Sequence, residues 1–288
     1  MSGNLALRTA APKNAFAGLD AGLRRGNRAT MFQLMLKRSL FLSSRSLPSF
    51  LAAALCATSL IAADKKSDTP EDPNHPGYTQ LAKKSRDGIG KEYMGREISF
   101  VMGHRGASWL ERKSREAEEK PTLLIKALNL KPGDNVADIG CGSGYFTRRL
   151  AKAIGPKGTV YAVDIQPEML TILEAKMAEA GQDNYKPVLG TIQNPKLPEE
   201  TIDLVLFVDV YHEFSHPYEM IKNICKSVKK GGRIVWVEYR KEDPKVKILP
   251  LHKMSEEQVK KEAAIHPLKH VETIGVLPQQ HIIIFEKQ

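Results

Sequence analysis

The stretch Val136–Thr147, VADIGCGSGYFT, decides how the chain is read. A short apolar run ends in an acid, Asp138, and glycines follow at alternate positions, Gly140, Gly142 and Gly144. An apolar run closed by a glycine-rich turn and followed by a helical pattern is a strand–turn–helix unit, and the glycines let the backbone approach a ligand closely. Their order is informative. A dinucleotide fingerprint needs G-x-G-x-x-G, which from Gly140 would put the third glycine where Tyr145 stands. A phosphate-binding P-loop needs a lysine after its last glycine, and none is there. A carboxylate at the strand end would repel a pyrophosphate and suits a ligand with a cationic end.

Outward from this stretch the pattern is regular. Strands are predicted at about 134–139, 158–163, 184–189, 202–208, 232–238, 268–274 and 280–286, with helices at about 145–154, 167–180, 217–229 and 255–264. Strands alternating with helices predict an α/β, Rossmann-like, doubly wound sheet of seven strands. The short turn at Leu277-Pro278 makes the last two strands an antiparallel hairpin, so six strands run parallel and one antiparallel. Residues 81–120 are expected to form a small helical cap, broken at Gly88, Gly90, Gly103 and Gly106, and Pro121 marks a helix start.

The chain of 288 residues has a formal net charge of +10, but residues 1–46 supply most of it, with eight Lys/Arg against the single acid Asp20. Residues 64–288 are nearly balanced, which argues against a nucleic-acid surface. The basic leader runs into the uncharged LPSFLAAALCATSLIAA, Leu47–Ala63, which has the length and small-residue exit of a secretory signal. Residues 1–63 are therefore read as a basic leader and signal-like segment of an exported protein, with a membrane anchor or organelle transit peptide, and a cytoplasmic or organellar location, as alternatives. No stable membrane insertion is expected once the leader is removed. Residues 64–80, polar and proline-rich, read as a linker. Cys141 and Cys225 in the body allow one disulfide but no disulfide framework.

A second acid, Asp164, ends the next strand in YAVDIQPEML, where a carboxylate can take both hydroxyls of a ribose. Four segments then agree in order and spacing. VADIGCGSGYFT, YAVDIQPEML, IDLVLFVDVYHEF (Ile202–Phe214) and VKKGGRIVWVEY (Val228–Tyr239) resemble the motifs of the class I S-adenosylmethionine-dependent methyltransferases over residues 121–288, near the branch that includes ubiquinone/menaquinone-biosynthesis methyltransferases. The resemblance implies S-adenosylmethionine as cofactor and a small-molecule or lipid-like methyl acceptor; nothing in the sequence requires a metal. It implies that Asp138, Gly140, Cys141, Gly142 and Gly144 line the methionine end, that Asp164 holds the ribose beside Ile165 and Gln166, and that Asp209 and Val210 face cofactor and acceptor. Many relatives carry an acid after the third strand. Here the segment is LGTIQNPKLP, so adenine recognition falls to backbone groups or Thr191.

HEFSH, His212–His216, has a second reading. As H-E-x-x-H on a helix it would bind zinc with Glu213 as base of a metalloprotease, but Pro217 pushes His216 out of helical geometry. In the methyltransferase reading His212 or Glu213 could deprotonate the acceptor, or merely shape the pocket. Tyr211 and His252 are candidate substrate-binding residues, with core packing and a structural role as their alternatives. Met94, Met102, Trp109 and Leu110 would either roof the acceptor or pack within the cap. A non-catalytic S-adenosylmethionine-binding module is the remaining alternative.

Overall fold

The computed structural model describes residues 77–288; the leader and signal-like run, and the linker up to residue 76, lie outside the described residues. The first elements correct the expected helical cap. β1 (Tyr78–Gln80), β2 (Gly88–Tyr93) and β3 (Arg96–Ser99) form a three-stranded antiparallel sheet, which takes in the end of the expected linker as well. In GIGKEYMGREIS the glycines at 88 and 90 sit in a strand and do not break a helix. Met94 and Gly95 both have positive φ, 50° and 90°, the combination whose twist joins two strands through a two-residue turn. Tyr93 and Ile98 then bury their side chains against Tyr218. Helices follow only afterwards and are short: α1 (Ala107–Leu110), α2 (Arg115–Glu119) and α3 (Pro121–Ala127), the last with its proline in the first turn.

From Asn135 the expected alternation holds. β4 (Asn135–Ile139), α4 (Tyr145–Ile154), β5 (Thr159–Asp164), α5 (Pro167–Glu179), β6 (Tyr185–Leu189), β7 (Ile202–Val208), α6 (Pro217–Ser227), β8 (Val228–Tyr239), α7 (Glu256–Ala263), β9 (Leu268–Ile274) and β10 (Gln280–Lys287) follow in order. The sheet order is β6-β5-β4-β7-β8-β10-β9. β10 is antiparallel to both neighbours and the other six strands share one direction. β8 starts earlier than expected, and its register against β7 shifts between Ile202 and Leu204.

Strand parity builds two cores. Val136, Leu204, Leu206, Val235 and Val237 face α3, α4 and α5, while Ala137, Ile139, Val205, Phe207 and Trp236 face α6 and α7. Each fully buried side chain of this kind, Phe207 for example, contributes about 1.5–3 kcal/mol. Cys141 and Cys225 are buried free thiols, so the disulfide the sequence allowed does not form. Among the described residues no helix is long and apolar enough to cross a membrane. The chain leaves β4 toward β5 and β6, then returns to β7 on the other side of β4. The turns after β4 and β7 therefore diverge and open a crevice at the carboxyl ends of the strands.

Candidate active site

The floor of the crevice is the glycine turn. Gly140 N–H and Cys141 N–H both donate to the Val163 carbonyl, and Gly142 N–H donates to Asp164 Oδ2 at 3.0 Å. Gly140, Gly142 and Gly144 have φ of 68°, 53° and 79°, which side chains resist. A Cβ on them would lie 2.4 Å from Val210, 2.6 Å from Leu110 and 2.3 Å from Leu173 respectively. The glycines thus let three elements close on the turn: the loop after β7, the segment ahead of α2, and α5.

A cavity of about 420 Å³ lies over this turn, within the range of small-molecule sites. Gly140, Gly142, Asp164, Ile165, Gln166 and Thr191 line it, and so do Asp209, Val210, His212, Glu213 and His252. Asp164 is 6% exposed, and its Oδ1 accepts from Gln166 N–H at 2.9 Å. Burial raises its pKa, opposed by the amides of Gln166, Gly142 and Ile165. Thr191 accepts from Asn194 N–H at 3.0 Å, so its hydroxyl shapes its own loop.

Four expected site residues are not on the cavity wall. Asp138 shares strand parity with Val136, so it points under α4, where Thr147 Oγ1 donates to its Oδ2 at 2.6 Å. Burial, with Asp164 adding to it and Thr147 opposing, brings its pKa up to about 6. Cys141 and Gly144 pack inside the turn against the α4–α5 face. Tyr211 is 1% exposed, edge-on to Phe214 and Trp236, and its hydroxyl bonds to Glu262. The expectation that Tyr211 touches substrate is corrected: the turn at Tyr211–Glu213 points it inward and His212 toward the cavity.

The His212 turn has a partner that sequence reading missed. Glu238, fully buried in β8, accepts from Tyr211 N–H at 3.0 Å and lies 2.6 Å from His212 Nδ1. Burial opposes the imidazolium of His212, but Glu238 and Glu213 outweigh it and the pKa is raised. His212 Nε2 is 3.2 Å from His252 Nδ1, which lies 4.0 Å from Glu213 Oε1. Burial pushes Glu213 up to about 7, against the pull of His212 and the Met102 amide. His252 is lowered by burial and by His212. Asp209 has φ of 51°, its Oδ2 accepts from Gln280 at 2.7 Å, and its buried Oδ1 has no hydrogen-bond partner among the described residues.

The N-terminal sheet holds this end in place. Arg96 forms a buried two-pronged pair with Glu262 of α7, at 2.8 and 3.0 Å, and its third nitrogen donates to the His212 carbonyl at 3.2 Å. Ser99 Oγ donates to the same carbonyl. The strap after β3 crosses the cavity: Met102 N–H donates to Glu213 Oε1, His104 N–H donates to Gln166 Oε1, and Gln166 Nε2 donates to the Met102 carbonyl. Met102, Trp109 and Leu110 line the cavity as the roofing alternative expected, whereas Met94 sits in the hairpin turn. The zinc-protease spacing is not realised. His212 sits in a single turn, Phe214 is extended, and His216 precedes α6 with φ −136° and ψ 63°, bonded to Ser215 and edge-on to Tyr78.

Residues 130–282, more than half of the chain, match a family model described as a methyltransferase domain. The chain belongs to that family. Among curated proteins it is similar to a demethylmenaquinone methyltransferase of Geobacillus sp. (strain WCH70), 32% identical over 114 residues, 40% of this chain and 49% of that protein. It is also similar to a ubiquinone/menaquinone biosynthesis C-methyltransferase of Ectopseudomonas mendocina, 27% identical over 120 residues, 41% of this chain and 47% of that protein. The chain spans about half the length of the curated relatives it matches. Among solved structures a SAM dependent methyltransferase from Aquifex aeolicus shares the fold, with a TM-score of 0.61 and 24% identity, covering 64% of this chain and 98% of that one.

The wall residues fit the cofactor this family implies. S-adenosylmethionine presents a cationic amine, a carboxylate, a ribose diol and a flat base. The cavity offers the unpartnered Oδ1 of Asp209, the Arg115 guanidinium, Asp164 and the apolar walls of Ile165, Met169 and Ile192.

Proposed function

We propose that this protein transfers the methyl group of S-adenosylmethionine to a small, lipid-like acceptor. The observation that carries the reading is one continuous cavity that joins the glycine turn and Asp164 to an apolar mouth, with His212, Glu213 and His252 beside the junction. Asp164 would take the ribose hydroxyls, and Arg115 and Asp209 the two charges of the methionine end. The bound cofactor supplies a methyl group already activated on a sulfonium, so the protein's share is chiefly alignment and exclusion of water. His212, oriented by Glu238, and Glu213, oriented by Met102, stand where an acceptor proton would leave. At the mouth, Val101, Trp109, Ile192 and Leu249 line the cavity yet stay solvent-exposed, Leu249 by 59%. Such a rim suits an aromatic acceptor with an isoprenoid tail, the kind of molecule for which the curated relatives are named. The near-neutral body leaves nucleic acid unsupported as acceptor. The basic leader and apolar run carry the reading that the protein is exported, checked by fusing residues 1–63 to a reporter active only outside the cytoplasm.

Calorimetric titration of the full chain with S-adenosylmethionine and S-adenosylhomocysteine, beside Asp164→Asn, tests the cofactor. Saturable binding weakened at least about tenfold in the variant, a loss of about 1.4 kcal/mol, supports the reading and justifies a screen of prenylated quinols with radiolabelled methyl donor. Absence of binding by folded wild-type protein refutes it. Cofactor binding without turnover on any acceptor supports the non-catalytic module instead.

A further inference from the structure

The acceptor-side cluster has the donor set and spacing of a metal centre, and no role given so far accounts for all of it. His212, Glu213 and His252 offer ligand atoms that all lie within 4.8 Å of one another. They come from two separate turns, Tyr211–Glu213 and Pro250–His252, so helical spacing does not produce the arrangement. Glu238 Oε2, 2.6 Å from Nδ1 of His212, fixes that nitrogen as an N–H, so the neutral ring carries its lone pair on Nε2, on the side of His252. A buried carboxylate behind a ligating histidine is the usual device for setting tautomer and ring orientation in metal sites.

The spacing of the two histidines agrees. Two imidazole nitrogens on one tetrahedral ion, each about 2.0–2.1 Å from it, stand roughly 3.3 Å apart. His212 Nε2 and His252 Nδ1 stand 3.2 Å apart. Glu213 Oε1 lies 4.0 Å from His252 Nδ1, farther than a shared ion requires, so its carboxylate would have to swing inward to complete the set. Met102 N–H already steadies that oxygen. All three residues line the cavity, so three protein ligands would leave the fourth position of the ion open toward the acceptor.

We propose that His212, His252 and Glu213 bind a divalent transition-metal cation whose open position takes an oxygen of the methyl acceptor. The ion would orient that oxygen and make its hydroxyl more acidic, taking over the part of His212 and Glu213 in the acceptor's deprotonation, because their lone pairs would then be on the ion. The acceptor role rests on the methyl-transfer reading of the cavity; the metal site itself does not.

The test uses untagged full-length protein stripped with a chelator, then titrated with Zn²⁺ alone by calorimetry and with Co²⁺ alone by visible absorption. The expected result is one equivalent bound, with the intense absorption of a four- or five-coordinate cobalt site. His252→Ala and Glu213→Gln should each weaken binding at least tenfold while circular dichroism stays unchanged, and His216→Ala should leave it unaltered. His252 is half-buried at the cavity edge, so its loss should spare the fold, and Glu213→Gln keeps shape and the Met102 bond if folding is in question. No uptake, or uptake equal in wild type and the His252→Ala/Glu213→Gln double variant, overturns the proposal and leaves a plain His212–His252 hydrogen bond. The same stripped sample is titrated with S-adenosylmethionine. Cofactor binding without metal uptake removes the metal site alone, and metal uptake without cofactor binding removes the methyl-transfer reading alone.

Discussion

At the scale of single residues, the two acids at the strand ends play unequal parts. Asp164 stands on the cavity wall, while Asp138 stands one layer behind it, bonded to Thr147. Asp164→Asn should therefore weaken cofactor binding tenfold or more, and Asp138→Asn by less than about threefold, as titration of both variants would show. Asp138 has a second, thermodynamic signature. Its folded pKa of about 6 lies above the ordinary 3.8, so the native state holds the proton more tightly across that window. The contribution favours folding at low pH and is lost as pH rises through about 6. Asp138→Asn keeps an acceptor for Thr147 and should raise stability at pH 7 by about 1–3 kcal/mol, with the gain vanishing below pH 4. Melts of both proteins at pH 4 and 7 measure it. The inward placement of Asp138 was readable in advance, because its parity along β4 is that of the core residue Val136.

At the scale of elements, the seven strands of the main sheet were legible because alternation, glycine turns and short apolar runs all agreed on them. The N-terminal sheet was not. Its strands are short, its turn uses Met94 at a positive φ that no turn preference flags, and Gly88 and Gly90 mimic helix breaks. Glu238 was invisible for a different reason: its contact with His212 depends on the register of β7 against β8, which pairs Val208 with Val237. The Arg96–Glu262 pair binds β3 to α7 across 166 positions of sequence, beyond the reach of any local pattern. Removing one partner leaves a buried charge alone, so Glu262→Gln should cost about 3–5 kcal/mol. Arg96→Leu/Glu262→Leu should cost clearly less than the sum of its single changes. A denaturant double-mutant cycle decides, and additive costs would mean the pair is not coupled.

At the scale of the whole molecule, the cavity is assembled from two sources. β4, β5 and their turns make the cofactor floor, and the strap after β3 closes over it through Gln166 and Glu213. If the strap is the gate, S-adenosylhomocysteine should slow hydrogen exchange at the amides of Met102 and His104, and Gln166→Ala should reverse that protection and weaken cofactor binding about three- to tenfold. Mass-spectrometric exchange with and without ligand measures both. The division of labour also bears on divergence. Arg96, Ser99 and Met102, which hold His212 and Glu213, lie outside the stretch 130–282 that matches the family model, while the glycine turn and Asp164 lie inside it. Lineages that drift only in the hairpin and strap would keep the glycine turn and Asp164 and reshape the entrance above them, so under the methyl-transfer reading new acceptors can be acquired by changes outside the stretch that the family model matches.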